Sequence, residues 1–536
     1  MRLPALLSLA LVAVVSATSI EPESLRTEGV TAPLGIHATK PLLSWRLQSD
    51  RRGDNQTSYQ LQAASSSDGF DAPDLWDTGK LSDTQAFASW NGSTLGSRDQ
   101  VYWRVRAWDA DDVASSWSEP SRFELGLLEE TDWTAQWIEN NEFATGVNSL
   151  PLFANEFKVN CTAIKARLYI TGLGVFYAEF NSKSVSDEVL GPGYSTINRT
   201  VLYRAYDVTD LLAEGDNVIG VSIGKGMYNS DKPLLNRYST APQLKVTETI
   251  AAKSITQRSC GYLFDFGVNF AGWYQFSMNG TDKAGTRIVL WPAERLVGGN
   301  PSQTNTGSPV FDGYTLAGNE PETYGVRYRY HGLRHVCSNI YSVLTDCPHR
   351  EKLGWLEQDH LLFDLPARRY DLQAYGFNLM HTIADAQAQY GANSEGLIPT
   401  TAPEYDVFPD KFRDDPNWGS AIMRVAMHLY RYYGDTRVLS ENYDIMVAYM
   451  DYLGRRATDS AATAMKQISL WLSNSEETEK WEELASSIGE ALHNKWFIDD
   501  TNGTTSQAYY SGNIQAPNAL ALDLGVVPEK IPGLGI

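Results

Sequence analysis

Thr345-Asp346-Cys347-Pro348-His349-Arg350-Glu351-Lys352-Leu353-Gly354-Trp355 gathers an Asp, an Arg, a Glu and a Trp into one short stretch. Pro348 suits the first turn of a helix, with Asp346 or Cys347 at its cap. A helix running on from there puts Asp346 and Arg350 on one face at i,i+4, and Glu351 with Trp355 likewise. Carboxylates, a guanidinium and an aromatic plate aimed into one cleft are the parts of a sugar-cleaving site. The acid protonates the leaving oxygen, polar groups hold the hydroxyls, and the indole packs on the C–H face of the ring. A plainer reading uses the same residues: Asp346 as a cap, Asp346–Arg350 as a surface ion pair, Trp355 as a core anchor. Composition alone favours the plainer one.

The string itself tips the balance, because TDCPHREKLGW resembles the motif of the α-L-rhamnosidases of glycoside hydrolase family 78. The resemblance implies inverting hydrolysis with Glu351 as general acid, and a terminal-rhamnose pocket lined by Asp346, Arg350 and Trp355. Many members continue after the Trp with Thr-Gly-Asp, whose Asp also touches the sugar. Here the chain reads Leu356-Glu357-Gln358-Asp359, so Glu357 and Asp359 are the two carboxylates left for that place. Inversion needs a second carboxylate, roughly 6.5–9.5 Å from the first, to activate water. The family carries it in a late segment rich in Thr, Trp and Glu, which this sequence lacks, so no general base is assigned.

Length and composition fit a large secreted enzyme. A chain of 536 residues holds several domains rather than one core. Met1-Arg2, the apolar run from Ala5 to Val15 and Ser16-Ala17 read as a signal peptide, residues 1–19, too short in its apolar part to span a bilayer. Sequons at Asn55, Asn91, Asn160, Asn198, Asn279 and Asn502 fit a glycosylated eukaryotic product, here of fungal type. Cys161, Cys260, Cys337 and Cys347 allow up to two bridges in three connectivities, and their spacing fits no zinc site. A net charge of −21 argues against nucleic acid or an anionic membrane as partner.

The order is β-rich first and helical later. Residues 20–130 alternate with period two, most clearly in Val101–Trp108, where Trp103, Val105 and Ala107 face one side. With Trp45 and Tyr59–Ala63 this resembles a fibronectin type III sandwich. Residues 131–250, through Leu168–Asn181, Gly191–Tyr194, Tyr206–Leu211 and Gly224–Tyr228, resemble the N-terminal sandwich of the family. Residues 251–336, with Phe264–Trp273, Asp312–Leu316 and Tyr330–His335, resemble its concanavalin-like sandwich. His331 and His335 would share a strand face, where ordinary packing is the simpler reading.

From 337 to 536 the period becomes 3.6. Ile422, Val425, Ala426, Leu429 and Tyr433 form a stripe ended by Gly434, and Trp481, Leu484, Ala485, Ile488, Ala491 and Leu492 form another, opened by Asn474 with Glu477. Such helix pairs build the (α/α)6 barrel that the resemblance implies. The loop from Pro403 to Gly419 resembles a family segment beside the sugar, which makes Asp415 and Trp418 further substrate-binding candidates; a capped turn explains them almost as well.

The expectation is therefore a multidomain chain of β-sandwiches followed by an all-α (α/α)6-barrel catalytic domain. Only the stretch after Trp355 is left for twelve helices, ending in a mid-barrel-like segment at Ala519–Pro528, and junctions near Leu333–Cys337 and Ala457–Asp459 are abrupt. Both features read as a truncated or internally deleted chain. The function that fits is a secreted exo-acting α-L-rhamnosidase acting on a carbohydrate substrate, plant glycosides or pectic fragments, with no cofactor and no metal. The alternatives are a catalytically impaired rhamnoside-binding relative without its base, and a non-enzymatic β-sandwich adhesion module.

Overall fold

The computed structural model describes residues 20–139, 150–193, 195–224, 226, 248–258, 261–278, 284–304, 310–318, 321–326, 331–333, 344, 353–368, 370–389, 396–405, 407–408, 412–454, 468–469, 471–500 and 507–510. Residues 1–19, read as a signal peptide, and the segment around Ala519–Pro528 lie outside them. The chain divides into two compact units, residues 1–138 and 139–536.

The first unit is a sandwich of two sheets. Its strands are β1 (Glu21–Thr27), β2 (Leu34–Ile36), β3 (Leu42–Gln48), β4 (Ser58–Ala64), β5 (Trp76–Asp77), β6 (Phe87–Ser89), β7 (Gln100–Trp108) and β8 (Ser121–Leu125). One sheet runs β1-β3-β6 and the other β2-β8-β7-β4-β5. The alternation read in β7 holds: Trp103, Val105 and Ala107 are fully buried, and Trp103 and Val105 join Leu43, Leu61 and Phe123 in the core. On the opposite face the guanidinium groups of Arg104 and Arg106 lie over Trp117 at 4.5 and 4.7 Å, Arg104 donating to Gln62 Oε1 and Arg106 to Gln60 Oε1. The pleat separates an apolar face from a polar one, as a half-buried strand requires. Trp45 and Trp90 are core residues as well.

The second unit begins with β9 (Leu152–Val159), β10 (Arg167–Ile170), β11 (Val175–Phe180), β12 (Lys183–Ser184), β13 (Arg204–Asp207) and β14 (Gly215–Gly224). A sheet in the order β12-β11-β14-β9 stands beside the pair β10-β13, with Phe176, Ala178, Phe180, Tyr206 and Val208 between them. Beyond Ser254 the chain folds as a nested set of antiparallel pairs. Phe270–Gly272 pairs with His331–Leu333, Gln275–Met278 with Glu322–Gly325, Arg287–Leu290 with Asp312–Thr315, and Arg295–Val297 with Asn300–Ser302. The innermost pair reverses at Gly298-Gly299. His335 lies outside the described residues.

Helices follow: α1 (Leu356–Leu361), α2 (Asp364–Ala367), α3 (Gln373–Ala388), α4 (Pro416–Gly419), α5 (Ala421–Tyr433), α6 (Arg437–Glu441), α7 (Tyr443–Gly454) and α8 (Ser475–Trp496). The architecture is β-rich and then helical. The α5 stripe is buried as read, with Ile422, Val425, Ala426 and Leu429 fully enclosed, and Gly434 closes the helix in the left-handed conformation at φ 69°. Asn474 caps α8 by accepting from the Glu477 amide at 3.3 Å, and Trp481 is buried in the same core as α5. The side chains of Ile488, Ala491 and Leu492 lie outside those described.

One reading is corrected. A helix extending from Pro348 through Trp355 is not what forms: Trp355 is extended (φ −74°, ψ 117°), bridges Thr401, and α1 opens only at Leu356. Gly354 is a poor helix former, and the pairing with Thr401 satisfies the backbone without one. Glu351, the i,i+4 partner read for Trp355, lies outside the described residues. Cys161 is an exposed free thiol; the other three cysteines lie outside the described residues.

Helices α3 and α5 meet where Gly376 faces Leu429, so closely that a methyl group at Gly376 would overlap the Leu429 side chain. Gly376→Ala should cost about 1–3 kcal/mol of stability through overpacking, read as a lower midpoint in urea unfolding followed by tryptophan fluorescence. An unchanged midpoint would show that the interface relaxes freely.

Candidate active site

The end of the TDCPHREKLGW motif is laid against a segment from the far side of α3. The Leu356 amide donates to the Thr400 carbonyl at 3.0 Å, and the Ala402 amide donates to the Gly354 carbonyl at 2.9 Å. The Thr400 amide donates in turn to the Arg413 carbonyl at 3.0 Å. This short ladder brings the motif and the loop from Pro403 to Gly419 together, so the two segments singled out in the sequence are neighbours in space.

An aromatic wall results. Trp355 stacks on Phe408 with centroids 5.1 Å apart and meets Phe412 edge-on at 5.6 Å; Phe412 lies 6.3 Å from Trp418. Trp355 is only 9% exposed, so the core-anchor reading describes it better than an open platform. Trp418 is half-buried and keeps more accessible surface. Behind the wall Glu404, buried, accepts a two-pronged pair from Arg413 at 2.7 and 3.0 Å. Asp415 caps α4 by accepting from the Asn417 amide at 2.9 Å, the capped turn foreseen as the plain alternative. Its neighbour Asp414 accepts from the Tyr452 hydroxyl.

The candidates next to Trp355 part company. Glu357 is half-buried on α1. Asp359 has no exposed surface, and its Oδ1 accepts from the Tyr375 hydroxyl, so it lines no open pocket. Burial pushes its carboxyl up to about 8 against the pull of that hydrogen bond. Its neighbour His360 is held neutral, burial lowering it to about 4, and its Nε2 proton goes to the Asn417 carbonyl at 2.7 Å, tying α1 to α4. Asp346, Arg350 and Glu351 lie outside the described residues. Among the described residues no cluster of three or more His, Cys, Asp or Glu could hold a metal ion, and no helix is long and apolar enough to cross a membrane.

Four stretches of the chain match family models in the order of the fold. They are a Rha78A-like N-terminal immunoglobulin domain (residues 22–129), an alpha-L-rhamnosidase N-terminal domain (162–256), a bacterial alpha-L-rhamnosidase concanavalin-like domain (255–347) and a bacterial alpha-L-rhamnosidase 6 hairpin glycosidase domain (332–464). The chain belongs to the α-L-rhamnosidase family. An α-L-rhamnosidase of Formosa agariphila is 24% identical over 611 residues, covering 82% of this chain and 64% of that protein. The chain thus spans less than two thirds of that relative. Its fold is shared with the α-L-rhamnosidase structure from Dictyoglumus thermophilum, at a TM-score of 0.82, 23% identity, and 95% and 76% of the two chains. It is also shared with the Streptomyces avermitilis α-L-rhamnosidase complexed with L-rhamnose, at a TM-score of 0.79, 18% identity, and 95% and 80% of the two chains.

Sequence reading named Trp355, Asp415 and Trp418, which the fold does bring together, but it missed Tyr375, Phe408, Phe412 and the partnership of Glu404 with Arg413. Opposite charges within one irregular loop leave no periodic trace, and aromatic residues of a loop look like ordinary core.

Asp359 and His360 set a pH dependence. Unfolded, Asp359 would ionise near 3.8, while folded it keeps its proton to about 8, so the folded state binds more protons in that window and stability falls as pH rises. His360 acts oppositely between about 4 and 6.5, leaving Asp359 alone above 6.5. Wild-type urea midpoints should fall between pH 6.5 and 8, and Asp359→Asn should flatten that fall. Parallel curves for the two proteins would contradict the buried proton.

Proposed function

We propose that this chain is a secreted inverting exo-glycosidase that releases terminal non-reducing α-L-rhamnose from rhamnosides such as plant glycosides or pectic fragments. The observation that carries the reading is the meeting of the acid motif with the Thr400–Gly419 loop, in a chain whose successive segments match rhamnosidase domains. The helices would belong to an (α/α)6 barrel, with this junction on its catalytic side. The β units ahead of it would correspond to a fibronectin type III-like module at 20–130 and sandwiches at 131–250 and 251–336.

Glu351 acts as the acid, giving its proton to the glycosidic oxygen as the bond to the anomeric carbon breaks. Water activated by a second carboxylate attacks that carbon from the opposite face, which inverts its configuration; no described residue is assigned this base. Asp346 and Arg350 hold the sugar hydroxyls, the guanidinium offering paired donors. Trp355 backs the pocket, and Trp418 offers the more accessible ring to the sugar's C–H face. Glu357, rather than the enclosed Asp359, supplies the polar group beside Trp355, and Asp415 holds the α4 turn that carries Trp418.

The decisive variant is Glu351→Gln, which keeps the shape and removes the proton. Its kcat on an unactivated rhamnoside should fall by about a hundredfold or more, the usual worth of a general acid, and by less on p-nitrophenyl α-L-rhamnoside, whose leaving group hardly needs protonation. Equal rates for variant and wild type would refute the assignment. Rhamnose binding by the wild type without turnover would favour a catalytically impaired binder.

A further inference from the structure

The buried pair Tyr375–Asp359 has no place in that chemistry, yet it joins the two ends of the acid motif. Leu344 is the residue immediately before Thr345-Asp346, and its amide donates to the Tyr375 hydroxyl at 2.9 Å. The same hydroxyl donates to Asp359 Oδ1. Asp359 stands on α1, which opens directly after Trp355. One phenolic oxygen therefore bridges the backbone on entry to the motif and the helix on exit from it, with α3 as the fixed support.

We propose that Tyr375 and Asp359 are positioning residues that clamp Leu344, just before the TDCPHREKLGW stretch, to the helix just after it, and that the acid and the hydroxyl-binding groups depend on this clamp for their register. The inference rests on the rhamnosidase reading. Its physical ground is the environment of the clamp. Leu344 is buried, Asp359 has no exposed surface, and the Tyr375 hydroxyl is enclosed although the ring is half-buried. No water competes for these bonds, so each is stronger than its surface counterpart. Asp359 Oδ2 makes no hydrogen bond, while the Leu344 amide also acts on the carboxyl, so amide, hydroxyl and acid form one enclosed cluster. A neutral acid accepting from a tyrosine is replaceable by an amide of the same shape, whereas an apolar isostere leaves the hydroxyl without an acceptor. The second tie, Gly354 and Leu356 to Thr400 and Ala402, fixes the same exit independently. The clamp's particular contribution is thus at the entry, two residues before Asp346.

Three variants test this: Tyr375→Phe, Asp359→Leu and Asp359→Asn. At saturating p-nitrophenyl α-L-rhamnoside, well below each variant's Tm, Tyr375→Phe and Asp359→Leu should lose about tenfold in kcat while Asp359→Asn stays within about twofold, the scale of one buried hydrogen bond expressed in the transition state. A structural role alone would lower Tm and leave kcat per folded molecule unchanged, and that result would overturn the proposal. Hydrogen exchange at the Leu344 amide, by mass spectrometry of overlapping peptides, reads the clamp without any turnover: faster exchange in Tyr375→Phe is expected, and unchanged exchange refutes it. A wild type that releases no rhamnose would instead remove the functional reading, with the exchange comparison still deciding the clamp.

Discussion

The backbone pairing of Gly354–Leu356 with Thr400–Ala402 is the contact on which the site depends. It occurs where the chain passes from strands to helices, and its hydrogen bonds replace those that a helix through Trp355 would have made. Once it forms, Trp355 must turn toward Phe408, α1 must start at Leu356, and the Pro403–Gly419 loop must run beside the motif. Buried backbone groups have to be paired, so a change that prevented the ladder would leave several unpaired at once. The Glu404–Arg413 ion pair belongs to the same arrangement, because Arg413 gives its carbonyl to Thr400 and its guanidinium to Glu404.

Around that contact, polar groups are enclosed with assigned partners and an assigned charge state. Burial favours the neutral form of both acid and base: His360 spans α1 and α4, and Asp359 spans α1 and α3. Both lie on the six-residue helix that follows the motif. A helix this short has little stability of its own, and its place is fixed by Leu356 in the core and by these two tethers. The helical core beneath, from Leu379 to Trp481, gives the rigid support that a site needing tight geometry requires.

Much of the fold was legible in the sequence wherever one face of an element is buried. The alternation in Val101–Trp108 and the 3.6-residue stripe from Ile422 to Leu429 each report a face against a core, and both are buried as read. Caps were legible too, at Asn474 and Gly434, since they need only local chemistry. The conformation of Trp355 was not, because Pro348 and the i,i+4 spacing speak for a helix while the residue that decides the matter, Thr401, is remote in sequence. The same limit applies to Asp359. On paper it is an acid beside a sugar motif; its enclosure depends on α3 bringing Tyr375 over it. Among the site candidates, the sequence marked two segments that the fold brings together and left open which of their side chains face the core.

The described residues on either side of the motif are tied down, Gly354 and Leu356 by the ladder at its exit and Leu344 by the Tyr375 hydroxyl at its entry, and in the proposed function this is what lets the acid meet a glycosidic oxygen. The direct measurement of the proposed inverting hydrolysis is proton NMR of the sugar released by the wild-type chain from an aryl α-L-rhamnoside, followed from the first seconds before mutarotation. β-L-Rhamnose should appear first and relax to the equilibrium mixture. First appearance of the α anomer, or no release of rhamnose at all, would contradict the account.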